Sequence, residues 1–214
     1  FWEVSAHELG HAGFGLEDLY SFESQSNIFG DWDIMQMALL VPSKEITSWS
    51  RWIAGWLEES QVQCLEEQDS TVLFIEPIEI MSALPKSVFV RTSDHSVLVV
   101  ESRRNLGYDV SGSSVLIYTV DTSNSHGYGP YKFEGTLKEI GESLTVGPIT
   151  ISLTDTDVDA HLCDAWNSHW VNSLAHSTTS VFGSVALPTA KTLVATVPKS
   201  SNWTSFAMLD RLTS

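Results

Sequence analysis

Six short runs between residues 71 and 155 constrain the fold more than any other feature of the chain. They read TVLFIEPIEI (71–80), SVFVRT (87–92), SVLVVESR (96–103), SVLIYTVD (114–121), ESLTVG (142–147) and ITISLTD (149–155). Each is rich in β-branched and aromatic residues, and Pro, Gly, Asp and Ser separate them. A spacing of roughly ten to twenty residues predicts antiparallel strands in a sheet or sandwich. No apolar stretch approaches the ~20 residues that a membrane-spanning helix needs.

The flanks read differently. From Phe1 to Ala12 apolar residues fall near helical spacing (Phe1, Val4, Leu9, Ala12), and Gly13 and Gly15 are the stop signals. Residues 16–44 are loop-like. Ile46 to Leu57 reads as a second helix, with Trp49, Trp52, Ile53 and Trp56 on one face and Thr47 or Ser48 as its cap. From 161 onward small and polar residues surround Trp166, Trp170 and Trp203, and no element is assigned. The organisation is therefore α+β: a helical region over 1–60, an antiparallel, sandwich-like β-rich region over 61–160, and an unplaced segment over 161–214. The chain starts at Phe1 with a helix already under way, and so reads as a fragment.

At 43% hydrophobic and 18% charged, the 214 residues have the balance of a folded globular chain. The net charge of −16, from 27 acids and 11 bases, repels nucleic acid and acidic lipid, and no Lys/Arg cluster offsets it. Such acidity suits an exported protein. Cys64 and Cys163 are two buried thiols or one disulfide. A bridge would close a loop of roughly 100 residues, worth about 4.7 kcal/mol in the chain-entropy model, and would imply an oxidising compartment. Asn202-Trp203-Thr204 is a glycosylation triplet.

The chemistry is concentrated in SAHELGHAGFGLEDLY, Ser5 to Tyr20. On a helix His7 and His11, four apart, lie on one face and can offer a ring nitrogen each to one zinc ion. Glu8 is turned about 100° from His7, where a carboxylate reaches a zinc-bound water without ligating the metal. A catalytic zinc needs a third protein ligand, and one helix face cannot supply it. Gly13 and Gly15 permit a sharp turn, and the acids beyond it are Glu17 and Asp18.

This stretch resembles the zinc motif of the immune inhibitor A family of secreted, metzincin-like metalloproteases, His-Glu-x-x-His-x-x-Gly-x-x-Asp followed by Leu-Tyr. His7, Glu8, His11, Gly15 and Asp18-Leu19-Tyr20 fill the pattern, with three residues rather than two between His11 and Gly15. Counting back from the glycine favours Asp18 as third ligand, and counting forward from His11 gives Glu17. FGDWDIMQ (Phe29 to Gln36) is similar to the family's Met-turn segment. That likeness implies that Met35 forms an apolar floor beneath the histidines. Where several metzincins carry a tyrosine after this turn, Gln36 and Met37 stand. Ser48–Glu59 resembles the helix after the turn, and Val97–Asp121 a strand pair. The usual His before its final Asp is Thr119 here.

The resemblance covers roughly residues 1–165. It implies a metzincin-like zinc helix and Met-turn subdomain, followed by the β-rich region and lacking the N-terminal half of the catalytic domain. It further implies a secreted zinc metalloendopeptidase acting on protein or peptide substrates, weakly active or inactive in this fragment. His7, His11 and Asp18 or Glu17 would bind Zn2+, with Glu8 as general base. The rival readings are a degenerate, non-catalytic β-rich binding module, and a peptidase whose third ligand follows the Trp-rich helix at Glu58 or Glu59. DTDVDA (Asp155 to Ala160) alternates acids as a structural Ca2+ loop does, but lacks the glycine and distal glutamate of an EF-hand. His126, His161, His169 and His176 read as surface residues.

Overall fold

A computed structural model describes residues 2–23, 29–37, 42–65, 71–110, 112–124, 127–155 and 191–196. Cys163, the Asn202 triplet, most of the Asp155–Ala160 run and His126, His161, His169 and His176 lie outside them. Two α-helices are described, α1 (Trp2–Phe14) and α2 (Ser48–Ile53), and a 3-10 turn (Glu59–Gln61). The strands are β1 (Val62–Leu65), β2 (Thr71–Ile75), β3 (Ser87–Arg91), β4 (Ser96–Arg103), β5 (Ser114–Asp121), β6 (Tyr131–Leu137), β7 (Ser143–Val146), β8 (Ile149–Asp155) and β9 (Lys191–Thr196).

These strands make two sheets, one in the order β1-β3-β4-β5-β6 and the other β2-β9-β8-β7. The α+β, β-rich expectation holds at that level. The purely antiparallel one does not, because β1 and β3 pair in parallel, Val62 opposite Ser87 and Leu65 opposite Val90. Parallel neighbours need a long crossover. Here the connection runs through β2, which belongs to the other sheet, so the chain re-enters as β3 in the direction it left. Strand β9 comes from the segment left unplaced by sequence. It lies between β2 and β8, with Leu193 opposite Leu73 on one side and Leu153 on the other.

Period-two alternation divides the five-stranded sheet between two cores. Val88, Val90, Leu98, Val100, Val115 and Ile117 face the second sheet and meet Leu73, Ile75, Ile151, Leu153 and Leu193. Phe89, Val99, Leu116, Tyr118 and Val120 face the opposite way and meet Leu16, Leu19, Phe29, Met35 and Trp49. With both faces covered, β3, β4 and β5 read as nearly unbroken apolar runs.

Helix α2 is shorter than the expected Ile46–Leu57. Gly55 at φ 74° takes the chain out of helical conformation, leaving Ile53 and Trp56 exposed. Thr47 holds the N-cap position without a side-chain bond to the helix backbone. The free N–H groups are met by the sheet instead. Ser48 N–H donates to Glu101 Oε2 at 2.6 Å, and Trp49 N–H to the Tyr118 hydroxyl at 3.2 Å. Tyr118 donates to the same Glu101 oxygen at 3.1 Å. Glu101 Oε1 accepts from Arg103 Nε at 2.6 Å, and both side chains are fully buried. Arg103 Nη1 lies 3.5 Å from Asp109. Burial, with a hydrogen bond to Asp109, raises the Glu79 carboxyl to about 8. That shift favours the protonated carboxyl and so limits the negative charge gathered around one guanidinium.

Removing one member of a buried ion pair strands its partner, at a cost of about 3–5 kcal/mol. Glu101→Ala also strips the start of α2. The expected result is a stability loss in that range, read as a shift of the urea midpoint at constant slope. A loss below about 1 kcal/mol would mean that Arg103 is compensated elsewhere.

Candidate metal centre

Helix α1 does not bury the apolar stripe expected of it. Its buried residues are His7 and Gly10, while Trp2, Leu9 and Phe14 are exposed. The inward face is thus His7, Gly10 and His11, three and four residues apart. Gly10 permits the approach: a Cβ there would sit 2.6 Å from Met35 Sδ, and Met35 is fully buried beneath it.

The turn that carries Met35 is held by Asp33. Its Oδ1 accepts from Met35 N–H at 2.8 Å and its Oδ2 from Thr47 N–H at 2.7 Å. Gln36 N–H closes the turn onto the Asp33 carbonyl at 3.1 Å. The Ile34 carbonyl that this turn presents accepts from His7 Nδ1 at 2.9 Å.

Helix α1 ends at Gly15, whose φ of 64° needs a residue without a side chain. Gly15 N–H bonds the His11 carbonyl at 3.0 Å, a left-handed C-cap. Gly13 stays inside the helix, so only the second glycine is the stop. Beyond it, Leu16 turns inward, Glu17 outward, and Asp18 and Leu19 inward. The Leu16 carbonyl accepts from His11 Nδ1 at 2.6 Å.

A carbonyl only accepts, so each Nδ1 carries a proton, and Nε2 is the ring nitrogen turned toward Asp18. The two Nε2 atoms are 3.1 Å apart. Asp18 Oδ1 lies 3.0 Å from that of His7 and 3.1 Å from that of His11. Of the two acids beyond the glycine, the structure brings Asp18 to the histidines and leaves Glu17 exposed. Among the described residues these three form the grouping of His, Cys, Asp or Glu side chains able to share a cation. With each Nδ1 committed to a carbonyl, His7 Nε2, His11 Nε2 and Asp18 Oδ1 converge at a spacing that a shared cation can use. Tetrahedral zinc ligands stand about 3.3 Å apart, a few tenths of an ångström beyond the spacing here, so the donor set fits.

Glu8 is exposed beside the cluster, and its charge reaches the Tyr20 hydroxyl. Burial first, then the Asp18 charge and a hydrogen bond to Asp18, raise the titration of that hydroxyl. Glu58 and Glu59 are exposed too, and the Glu58 side chain caps the 3-10 turn. Residues 15–17 also help line an apolar cavity of about 480 Å³, with Trp49, Trp52 and Phe89. Cys64, on β1, is exposed and lines the same cavity, against the expectation of a buried thiol.

Sequence reasoning missed the Ile34 and Leu16 carbonyls, since a backbone acceptor leaves no mark in residue identity. Tyr20 stands in the motif, but its identity alone assigns it no role there. Compared with family models, with curated proteins and with solved structures, the chain matches none. The family likeness therefore rests on the motif positions themselves.

Asp33 links acidity to this centre. Burial raises its carboxyl to about 6, outweighing the Thr47 and Met35 N–H bonds and the Arg103 charge. Between about pH 4 and 6 the folded chain keeps a proton that the unfolded chain has released. The contribution of Asp33 to stability therefore falls as pH rises through that window and is level above it. Asp33→Asn abolishes the dependence. The stability of the parent relative to this variant is expected to fall by about 1.4 kcal/mol per pH unit across the window, measured by chemical unfolding.

Proposed function

We propose that the chain is the zinc-binding part of a metalloendopeptidase that hydrolyses peptide bonds in protein or peptide substrates. His7, His11 and Asp18 are its zinc ligands and Glu8 its general base. One observation carries this reading: His7 Nε2, His11 Nε2 and Asp18 Oδ1 converge at 3.0–3.1 Å, with each ring's Nδ1 bonded to a carbonyl. Zinc bound there supplies Lewis acidity, lowering the pKa of a water in the remaining position and polarising a carbonyl.

The side chains do the rest. Ile34 and Leu16 fix both imidazoles in the tautomer that ligates through Nε2 and orient the rings. Met35 sets the depth of the helix through Gly10. Glu8 takes a proton from the attacking water as its oxygen bonds to the carbonyl carbon. It then gives that proton to the amide nitrogen as the C–N bond breaks. Secretion belongs to this proposal and has the family resemblance as its support. The alternative, a non-catalytic β-rich binding module, has no use for a convergent donor set.

Metal analysis separates the readings. The purified protein is expected to hold one zinc per chain, Asp18→Ala to lose it, and Glu17→Ala and Glu58→Ala to keep it. A zinc-free parent after zinc loading would favour the binding module. Glu8→Gln is expected to retain zinc and lose about 10²–10⁴-fold of the parent's casein hydrolysis. Undiminished hydrolysis in that variant removes Glu8 from the mechanism.

A further inference from the structure

Asp18 stands beyond the end of α1, so helix geometry does not place it as it places the two histidines. Its Oδ1 must still lie 3.0 and 3.1 Å from the two Nε2 atoms. Main-chain bonds hold the segment that carries it from two directions. Leu19 N–H donates to the Met35 carbonyl at 2.9 Å, which ties the segment to the turn beneath the centre. The other hold comes from the β-rich region. Gly127, in the connection between β5 and β6, donates its N–H to the Asp18 carbonyl and accepts from Phe22 N–H, each at 3.1 Å.

Residue 127 has no room for a side chain. It is buried, and its φ of 73° is left-handed. A Cβ there would lie 2.2 Å from two ring carbons of Phe22. Phe22 is also packed edge-on by Tyr20, at a centroid distance of 5.5 Å, and by Tyr128, at 6.2 Å. Its ring can swing away only by giving up those contacts. The connection is itself fastened to the sheet. Asp121 N–H donates to the Pro130 carbonyl and Thr122 N–H to the His95 carbonyl, both at 2.7 Å.

We infer that Gly127 is a positioning residue for the candidate metal centre. Its two main-chain bonds, and the seat it gives the Phe22 ring, hold the 18–22 segment where Asp18 Oδ1 meets both imidazoles. The acid ligand is thus placed by the β5–β6 connection, whereas His7 is oriented by the Ile34 carbonyl of the turn. Gly127 acts through the Asp18 main chain and touches neither metal nor substrate. A side chain at 127 pushes on Phe22 and, through it, on the Asp18 segment. Loss of an orienting partner changes metal affinity by about 10–100-fold.

Because this rests on the zinc reading above, the experiment keeps the two apart. Zinc affinity is measured by competition with a chromophoric chelator, with the visible absorption of the Co2+ form and the unfolding midpoint of the metal-free protein. The proteins are the parent, Gly127→Ala, Phe22→Ala and the double variant. Gly127→Ala is expected to bind zinc about 10–100-fold more weakly than the parent and to shift the cobalt bands. Phe22→Ala should stay near the parent, and the double variant should recover toward it, since the ring that collides with the new Cβ is gone. In the parent, zinc should slow hydrogen exchange of the Gly127 and Phe22 amides, because a clamp that favours the metal is favoured by it in return. A parent that takes up no zinc overturns both readings. If the parent binds zinc, a Gly127→Ala protein that matches it in affinity and cobalt spectrum overturns the role of Gly127 alone. So does a defect that persists undiminished in the double variant, or amide exchange at 127 and 22 that ignores zinc. A loss of metal-free stability with affinity intact does the same, and would make the glycine a residue of the fold only.

Discussion

The buried carboxylate of Glu101 is the contact on which the helical side of the structure depends. It receives the first N–H of α2, the Tyr118 hydroxyl and the Arg103 guanidinium. Arg103 continues the path, donating through Nη2 to the Trp32 carbonyl at 3.1 Å. The next residue, Asp33, holds Met35 and Thr47, and the one after it presents its carbonyl to His7. An unbroken series of polar contacts thus runs from the middle of the five-stranded sheet to the histidine ring. A buried ion pair adds little net stability over an apolar replacement of the same shape. What this one adds is direction. Dispersion contacts among Phe29, Met35 and Trp49 would tolerate sliding, whereas a guanidinium shared between Glu101 and a particular carbonyl does not.

Sequence legibility followed composition. Strands β2, β3, β4, β5, β7 and β8 were legible because their residues are rich in β-branched and apolar side chains and turn formers bound them. Strand β1, Val-Gln-Cys-Leu, is four residues long, below the length at which alternation separates from chance. Strand β6 carries Lys132, Glu134 and Gly135 within seven residues, and only its ladder with β5 makes it a strand. The parallel sense of β1 and β3 could not be read at all, because turn residues mark where a chain reverses and not which sheet it enters next.

Half of the candidate metal centre was legible for a covalent reason: two histidines four apart on a helix share a face whatever surrounds them. The third donor was not, because the residue count between His11 and the glycine admits two acids. After the left-handed turn at Gly15 the structure buries Leu16, Asp18 and Leu19 and leaves Glu17 exposed, so that Asp18 is the acid brought to the histidines. Met35 was legible as a floor, but its partner Gly10 was not, since a glycine within a helix ordinarily signals only a loss of propensity. Here it is the absence of a side chain that lets sulfur and helix meet.

The same geometry makes α1 an unusual helix energetically. An amphipathic helix is ordinarily held by its apolar face, yet Trp2, Leu9 and Phe14 lie outside and the buried positions are a histidine and a glycine. Its attachment is shared among Ala6 on the buried cluster around Met35, the ring contacts of Trp2 with Tyr108 and of Phe14 with Trp56, the imidazole–carbonyl bonds and the Gly10–Met35 contact. A cation held by His7, His11 and Asp18 would add to these contacts. On the zinc reading, then, metal affinity and the docking of α1 are one free energy. Whatever loosens the aim of the donors, such as a change at Asp33 beneath the turn, acts on the seating of the helix as well as on the site.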